Sequence, residues 1–229
     1  GIKVYVGLCE SEARELNKAF IYRNLNNKSY GTLKWAMSID GRLGLKNGES
    51  KWVTNDLSRS KVHSLRASYD AIIIGGNTLR KDDPFLTTRG LKEKEPLRIV
   101  LTQSLNLPEK CNLWDTKVAK TIVVYEETLG NKDLLNRIPS SVELLRLPLA
   151  NPKSLSKFLA ERGCNSVLWE CGPKLATAAL KEGCIQEIIS FIAPKIIGGV
   201  PAMTPIEDLN LNKMNDVVHL KTKDLKLFN

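Results

Sequence analysis

A glycine turn followed by closely spaced polar side chains lies at residues 75–89. The apolar run before it, at 71–74, is typical of a buried strand, and glycine lets a backbone approach a ligand because no Cβ intervenes. The turn then presents a hydroxyl (Thr78), an aspartate pair (82–83) and a guanidinium (Arg89) within a short span. These groups could bind a polar ligand and relay a proton. A solvated loop with a glycine turn is the alternative interpretation.

A second unit of the same kind occupies residues 166–183. The pattern predicts a strand over 166–170, a turn, and a helix over 174–181 whose first turn begins at Pro173. A glycine turn that opens a helix leaves backbone N–H groups and the positive end of the helix dipole facing outward, where a phosphate can bind. Many strand–helix units share this pattern for structural reasons alone, but two of them in one chain favour a nucleotide cofactor. Neither unit has the three spaced glycines of the dinucleotide fingerprint.

The composition indicates one enzyme-sized globular domain. The chain has 229 residues, of which 42% are hydrophobic and 26% charged, and no apolar run is long enough to span a bilayer. The formal charge of +9 could serve nucleic acid, but the lysines are scattered and no nucleic-acid motif is present. Attraction of an anionic cofactor and substrate, or simply a basic surface, remain as explanations.

Cysteine and histidine are too sparse for metal or triad chemistry. The five cysteines form no Cys-x-x-Cys pair and are odd in number, so we expect reduced, mostly buried thiols and no metal site. Hydrolysis by a Ser-His-Asp or Cys-His arrangement would need His63 or His219, and neither lies in a motif. We expect His63 on a helix surface. The zinc-deaminase pattern, His-x-Glu with a later Pro-Cys-x-x-Cys, is absent.

Strands and helices alternate along the chain, which predicts a largely parallel sheet covered on both faces. The opening predicts a strand over 1–6, an amphipathic helix over 11–22 and a polar linker over 24–29. The later pattern predicts strands at 32–38, 71–75, 97–101, 121–125, 142–147, 166–170 and 185–193. It predicts helices at 152–162 and 174–181, and a helix that Thr54 or Asn55 caps and that runs to about residue 67.

Several motifs, in order and at fixed spacing, resemble one enzyme family. They are LKWAMSIDGR at 33–42, GESKWVT at 48–54, LR at 65–66, ECGP at 170–173 and APKIIGG at 193–199. With the turn at 75–89, they resemble the reductase domain of bacterial and plant riboflavin biosynthesis. That family is the 5-amino-6-(5-phosphoribosylamino)uracil reductase, usually fused behind a pyrimidine deaminase. The resemblance runs from about residue 30 to residue 200, and several motifs in order are more specific than any one of them.

The resemblance implies a fold and a division into domains. The fold would be α/β and dihydrofolate-reductase-like, with a mostly parallel central sheet and helices on both faces. Residues 1–29 would be the end of a deaminase-like domain and its linker, and residues 30–229 the reductase domain. The chain opens on Gly1 rather than methionine, so we expect a fragment or a processed form. It also stops about one strand short of the antiparallel hairpin that usually closes the family's sheet.

The resemblance further implies a reaction and the residues that serve it. A hydride from NADPH would reduce C1′ of the ring-opened ribosylamine, a Schiff base, and turn ribose into ribitol. The residues implied for the cofactor are Ala36, Trp52, Thr78, Asp82, Gly172, Pro173, Lys174, Leu175, Ala176, Thr177 and Ala178. Those implied for the substrate, a phosphorylated pyrimidine, are Lys34, Ser50, Arg66, Leu86, Arg89 and Glu170. Among all of these, Asp82, Lys34 and Glu170 are implied as catalytic.

The side-chain types agree with these roles. Arg66 and Arg89 have forked donors suited to a 5-phosphate, although either arginine alone would more often form a surface ion pair. Glu170, at the end of an apolar strand, could accept hydrogen bonds from ribose hydroxyls. Lys34 could neutralise phosphate or polarise the imine, and Asp82 could accept a carboxamide N–H or relay a proton.

Two other functions stay open at this point. One is a reductase of a different small heterocycle on the same fold, and the other is a non-catalytic nucleotide-binding module. The family also implies a homodimer formed through the sheet edge and a deaminase domain fused or nearby. The composition and the motifs predict no nucleic-acid or membrane partner. It implies the cytoplasm in a bacterium or the plastid stroma in a plant.

The preference for NADPH over NADH rests on the resemblance alone. A lysine or arginine after the strand at 97–101 would be needed to bind the 2′-phosphate. The loop that follows this strand, Thr102-Gln103-Ser104, is polar but uncharged.

Overall fold

A computed structural model describes residues 2–50, 53–129, 132–199 and 202–227. The strands are Tyr30–Ser38 (β1), Ala71–Gly75 (β2), Leu97–Leu101 (β3), Thr121–Glu126 (β4), Glu143–Leu147 (β5), Ser166–Trp169 (β6) and Glu187–Ala193 (β7). The helices are Glu10–Leu16 (α1), Lys18–Asn26 (α2), Asp56–Ala67 (α3), Gly76–Asp82 (α4), Lys132–Leu135 (α5), Pro152–Glu161 (α6) and Pro173–Lys181 (α7). The described strands form one seven-stranded sheet in the order β5-β4-β3-β2-β6-β1-β7, and every neighbouring pair is parallel.

The sheet has a hydrophobic core on each face, because alternate residues of a strand point to opposite sides. Trp169 points to the first face, where α6 and α7 pack through Leu159 and Ala179. Leu168 points to the second face, where α3 and α4 pack. The predicted parallel sheet with helices on both faces is therefore confirmed. None of the helices in the described ranges combines the length and apolar character needed to cross a bilayer.

Local sequence signals set several of the element ends. Asn55 caps α3, since its side chain accepts a hydrogen bond from the Ser58 backbone N–H at 2.9 Å. Pro173 is the first residue of α7, as predicted. Gly31 in β1 is required by close packing, because a Cβ there would lie 1.8 Å from the backbone oxygen of Cys184.

The first 26 residues differ from the sequence-based prediction. Residues 2–6 form no strand and are exposed, and no described strand pairs with them. The predicted single helix is two helices, α1 and α2, that break at Asn17 with φ −101° and ψ 13°. Helix α2 also continues through Asn26, into the predicted linker. Leu16 and Phe20, on the apolar side of the predicted helix, are 86% and 53% exposed.

The polar turn predicted after β2 is helical. Helix α4 begins at Gly76 with Gly75 as its N-cap, and its Leu79 is fully buried on the second face of the sheet. Burial of this single leucine explains why a segment with turn-like composition forms a helix. The chain then enters the left-handed region at Asp83 (φ 38°), Leu86 (φ 52°) and Arg89 (φ 55°).

The chain connections diverge near the centre of the sheet. Strands β1 and β2 lead into α3 and α4 on the second face, whereas β6 leads into α7 on the first face. Strand β6 lies between β1 and β2, so the carboxyl ends of these three strands form a topological switch point. Ligands of open α/β sheets bind at such switch points. The motifs that follow β2 and β6 meet there.

Candidate active site

A buried cluster of two cations and one carboxylate lies where β1 and β6 meet. Lys34 and Glu170 directly follow the register pair Leu33 and Trp169, so both side chains point to the second face. Arg66 reaches the same carboxylate from the last turn of α3. Its Nε donates to Oε1 at 2.7 Å and its Nη2 to Oε2 at 3.0 Å, while Lys34 Nζ lies 3.8 Å from Oε2. The three side chains are 16% (lysine), 12% (arginine) and 9% (glutamate) exposed.

Two cations facing one carboxylate leave this cluster with a net charge of +1. Burial lowers the pKa of Lys34, Glu170 opposes that shift, and the charge of Arg66 adds to it. Burial alone would raise the pKa of Glu170, but Arg66 and Lys34 outweigh it and hold this pKa below its usual value. The carboxylate therefore stays ionised, and Lys34 is the cation of the cluster that gives up a proton more readily than usual.

His63, expected on a helix surface, is half-buried beside the cluster. Its Nδ1 lies 3.0 Å from the carbonyl oxygen of Thr87, and Arg66 Nη1 donates to the same oxygen at 3.2 Å. Burial lowers the pKa of His63, the Thr87 carbonyl opposes this, and the charges of Arg66 and Arg89 lower it further. The sequence signal for His63 was its spacing of three residues from Arg66, because residues three apart in a helix share one face.

Arg89 is held near the cluster by its neighbour in the loop. Thr88 is fully buried, and its backbone N and Oγ1 donate to the two carboxylate oxygens of Glu95 at 2.7 and 2.8 Å. Arg89 itself is exposed. No described residue forms a hydrogen bond or ion pair with it, so its guanidinium is available to an anionic ligand.

Two glycine turns lie side by side next to the cluster. A Cβ on Gly75 would lie 3.5 Å from Leu175 Cδ2, which places the β2–α4 turn against the first turn of α7. Gly172 is the N-cap of α7, and no atom lies within 4 Å of the position that its Cβ would take. The first backbone N–H groups of α7 have no partner within the helix. The open space at Gly172 therefore suits a phosphate group.

The other cofactor candidates on α7 differ in the direction of their side chains. Lys174 is exposed and Ala178 is half-buried. Ala176 is only 1% exposed and packs in the first-face core. Thr177 Oγ1 donates to the carbonyl of the helix's first residue and accepts from the Glu207 backbone N–H, both at 2.8 Å. Ala176 and Thr177 could therefore contact a cofactor only through the backbone.

Candidates on β1 and α4 lie on the second face of the sheet. Ala36 is half-buried and, two residues after Lys34 in β1, points to the same face. Thr78 is half-buried in α4, and Asp82 is exposed as the last residue of that helix. The adjacent Asp83 anchors the loop instead, because its Oδ1 accepts from the Asn112 backbone N–H at 2.8 Å.

Two described candidates are not brought into the cluster, and a third cannot be placed. Leu86 is 2% exposed and packs in the second-face core, so only its backbone could meet a substrate. Ser50 is exposed. Trp52 lies outside the described residues.

A buried arginine that the sequence analysis did not single out holds the loop after α4. Arg98 is fully buried in β3. Its Nη1 donates to the Phe85 carbonyl at 3.3 Å, and its Nη2 donates to the carbonyls of Leu113, Asp115 and Ala119 at 3.1, 2.8 and 2.6 Å. The only visible signal was an arginine within an otherwise apolar strand, LRIVL.

Comparison with known proteins supports one family. Residues 29–228 match the model of the RibD C-terminal domain. The chain is 43% identical over 220 residues to the riboflavin biosynthesis protein RibD of Synechocystis sp. This alignment covers 96% of this chain and 60% of that protein. It is 40% identical over 207 residues to the riboflavin biosynthesis protein PYRR, chloroplastic, of Arabidopsis thaliana, covering 90% and 34% respectively.

A solved structure extends this similarity to the fold. The diaminohydroxyphosphoribosylaminopyrimidine deaminase/5-amino-6-(5-phosphoribosylamino)uracil reductase of Thermotoga maritima has a TM-score of 0.78 at 29% identity, over 98% of this chain and 62% of that one. The chain thus spans about 60% of the length of the RibD relative from Synechocystis. The predicted dihydrofolate-reductase-like fold is confirmed. Since the match covers every residue of the described sheet and of the charged cluster, the chain belongs to the RibD C-terminal domain family.

Proposed function

We propose that this chain reduces the ribosyl group of 5-amino-6-(5-phosphoribosylamino)uracil to the ribityl group in riboflavin biosynthesis, with NADPH as cofactor. The observation that carries the proposal is the buried cluster of Lys34, Arg66 and Glu170, which has a net positive charge at the switch point of the sheet. A positively charged crevice attracts a phosphorylated substrate and an anionic cofactor. The reductase name of the Thermotoga maritima relative agrees with this substrate.

The glycine turns fit a nicotinamide dinucleotide. The space at Gly172, which a side chain would fill, and the N–H groups of α7 would hold its pyrophosphate. Ala36 would leave room for the nicotinamide beside Lys34, and Thr78, Asp82 and Trp52 would complete the binding set by family resemblance. When bound, the cofactor supplies the hydride.

Lys34 would polarise the reacting imine. Its lowered pKa makes its ammonium group a better proton donor than an exposed lysine. A hydrogen bond from Nζ to the imine nitrogen would draw electrons away from C1′ and deliver the proton that the product amine requires. Burial of Lys34 strengthens this effect, because electrostatic interactions are less screened away from water.

The remaining charged groups would position the substrate. Arg66 already binds both oxygens of Glu170, so it would orient this carboxylate as well as contribute charge. Each carboxylate oxygen has a further lone pair, with which Glu170 would accept hydrogen bonds from the ribosyl hydroxyls. Arg89, which has no described partner, would bind the 5-phosphate, with Ser50 and the backbone of Leu86 beside it by resemblance.

The test is substrate-dependent loss of NADPH absorbance, with the ribityl product identified by mass spectrometry. Arg89→Ala should raise the substrate KM about 10- to 100-fold and leave the NADPH Kd unchanged. This rise corresponds to the loss of a charged hydrogen bond, which contributes about 1.5–3 kcal/mol. The control is Arg137→Ala, which removes an exposed arginine paired with Glu109 at 3.7 Å. Loss of NADPH affinity with an intact substrate KM would contradict the assignment of Arg89.

Two outcomes would replace the proposed activity. NADPH binding without turnover would favour the non-catalytic nucleotide-binding module. Turnover of a different heterocycle lacking a 5-phosphate would favour another reductase on the same fold.

We propose that residues 1–29 are the end of a deaminase-like domain and its linker, that residues 30–229 are the reductase domain, and that the chain forms a homodimer. The exposed apolar side chains of residues 1–29 support this proposal, because another protein surface would cover them. Val4 is 75%, Val6 94% and Leu25 76% exposed. Light scattering at micromolar concentration tests the dimer, and a monomeric mass would contradict it.

A further inference from the structure

The adenosine end of the proposed cofactor site should lie at the carboxyl end of β3. This step rests on the function proposed above. The charged cluster lies at β1 and β6, the two glycine turns follow β6 and β2, and the next strand in the order is β3. A dinucleotide that follows this edge would span three strand spacings, about 14 Å. The loop at 102–107, which follows β3, would then face its adenosine ribose.

An arginine with an uncompensated charge reaches this loop from the neighbouring helix. Arg80 lies in α4, where its Nη1 donates to the Asn106 carbonyl and its Nη2 to Asn77 Oδ1. Both acceptors are neutral, so they orient the guanidinium without neutralising it. The loop that receives it is anchored in the core, since Leu105 and Leu107 are 1% and 6% exposed.

The same guanidinium shares a space with a hydroxyl of the loop. A Cβ on Gly76 would lie 3.4 Å from Arg80 Nη1 and 3.2 Å from Thr102 Oγ1. The absence of a side chain at Gly76 thus lets the arginine and the threonine approach the same buried glycine, beneath the exposed guanidinium of Arg80. The backbone N–H of Ser104 donates to Thr102 Oγ1 at 3.4 Å, which keeps the loop folded towards this point.

The loop chemistry favours a phosphate over a free hydroxyl. Residues 102–107 contain no aspartate or glutamate. Dinucleotide sites that prefer NAD use such a carboxylate to accept a hydrogen bond from the ribose 2′-hydroxyl, whereas an arginine accommodates the 2′-phosphate of NADP. The planar fork of arginine matches phosphate oxygens and, when already held in place, loses little freedom on binding.

We propose that Arg80 binds the 2′-phosphate of the cofactor and sets the preference for NADPH over NADH. The exposed hydroxyl of Ser104 supplies a neutral donor beside it, and the buried Thr102 supports the loop through its hydrogen bond from Ser104. Arg80 precedes β3 in the chain by many residues, so the sequence after the strand does not reveal it. Packing of α4 against the 102–107 loop creates the site.

Calorimetric titration of NADP⁺ and NAD⁺ into the wild type, Arg80→Met and Lys81→Met tests this assignment. Lys81→Met is the matched control because it removes the same charge from the same helix. The Lys81 side chain points away from the 102–107 loop, and its Nζ lies 3.2 Å from the position that a Cβ on Gly48 would take. Arg80→Met should raise the NADP⁺ Kd about 10- to 100-fold and the NAD⁺ Kd less than about twofold. Lys81→Met should leave the ratio of the two Kd values unchanged.

Several outcomes would overturn the assignment. If Arg80→Met raises the Kd values of NADP⁺ and NAD⁺ equally, the arginine contacts the pyrophosphate or supports folding. If Arg80→Met and Lys81→Met change the ratio of the two Kd values equally, the effect is one of long-range charge alone. If the wild type binds NADP⁺ and NAD⁺ equally, this inference fails while the reductase proposal stands. If it binds neither, both fail.

A measurement on the wild type keeps the test independent of variant folding. The ³¹P resonance of the 2′-phosphate should report a pKa below the value of about 6 for a free phosphate monoester, because a bound guanidinium favours the dianion. Arg80→Lys, which keeps the charge but loses the fork, should show an intermediate NADP⁺ Kd. An unshifted 2′-phosphate pKa in the wild-type complex would refute direct contact.

Discussion

Replacing Glu170 by glutamine tests whether the buried cluster is the electrostatic centre of the site. Its carboxylate now offsets Arg66, at 2.7 Å, and Lys34, at 3.8 Å. Without the negative charge, two largely buried cations would face each other with no anion between them. Removing one partner of a buried pair typically costs about 3–5 kcal/mol, so we expect the free energy of unfolding of Glu170→Gln to fall by about this amount at neutral pH.

The size of this loss should depend on pH in a direction set by the pKa shifts. Because the folded-state pKa of Glu170 is lowered, its contribution to stability is complete above the unfolded pKa of about 4.3. That contribution is lost as the pH falls through the lower folded value. The stabilities of the wild type and Glu170→Gln should therefore converge in acid.

The alkaline side should show the opposite trend through Lys34. Its folded-state pKa is lowered, so between that value and the unfolded pKa of about 10.4 the unfolded chain binds more protons and stability rises with pH. Glu170 opposes the lowering. In Glu170→Gln the rise should therefore begin at a lower pH than in the wild type.

Urea unfolding at a series of pH values measures all three effects. The matched control is Glu143→Gln, because Glu143 pairs with both terminal nitrogens of Arg162 but is 46% exposed. An exposed pair contributes about 1 kcal/mol or less, so this variant should lose little. Equal, small losses in both variants would mean that water screens the cluster and would refute the electrostatic argument for Lys34.

Three further predictions concern single positions. Gly31→Ala should lower the free energy of unfolding by about 3 kcal/mol, because the new Cβ would lie 1.8 Å from the Cys184 carbonyl oxygen; an unchanged urea midpoint would show that β1 can shift to accept it. Asn55→Ala should cost about 1 kcal/mol in the same assay, because α3 loses its N-cap, and a loss below measurement error would contradict that role. Glu95→Gln should raise the substrate KM about fivefold or more without changing the NADPH Kd from fluorescence titration, because Thr88 loses a charged acceptor. A change confined to NADPH binding would be inconsistent with that role.

The sequence by itself determined the identity of most elements, because short windows carry their signals. The seven strands and the helices α3, α6 and α7 lie within about two residues of the predicted bounds. The sequence narrowed the start of α3 to Thr54 or Asn55 and marked the start of α7 at Pro173, because capping depends on adjacent residues. Both glycine turns were also visible, since glycine between an apolar run and polar residues is a local pattern.

Tertiary structure alone decided how these parts combine. Arg66 and Glu170 are 104 residues apart, and they pair only because β6 inserts between β1 and β2. Likewise, α4 is a helix because Leu79 finds a core to pack against, and Arg80 meets the 102–107 loop only through that packing. The strand order and the burial it creates arise from contacts distant in sequence. No short window encodes them, so the electrostatics of the site could not be derived from the sequence.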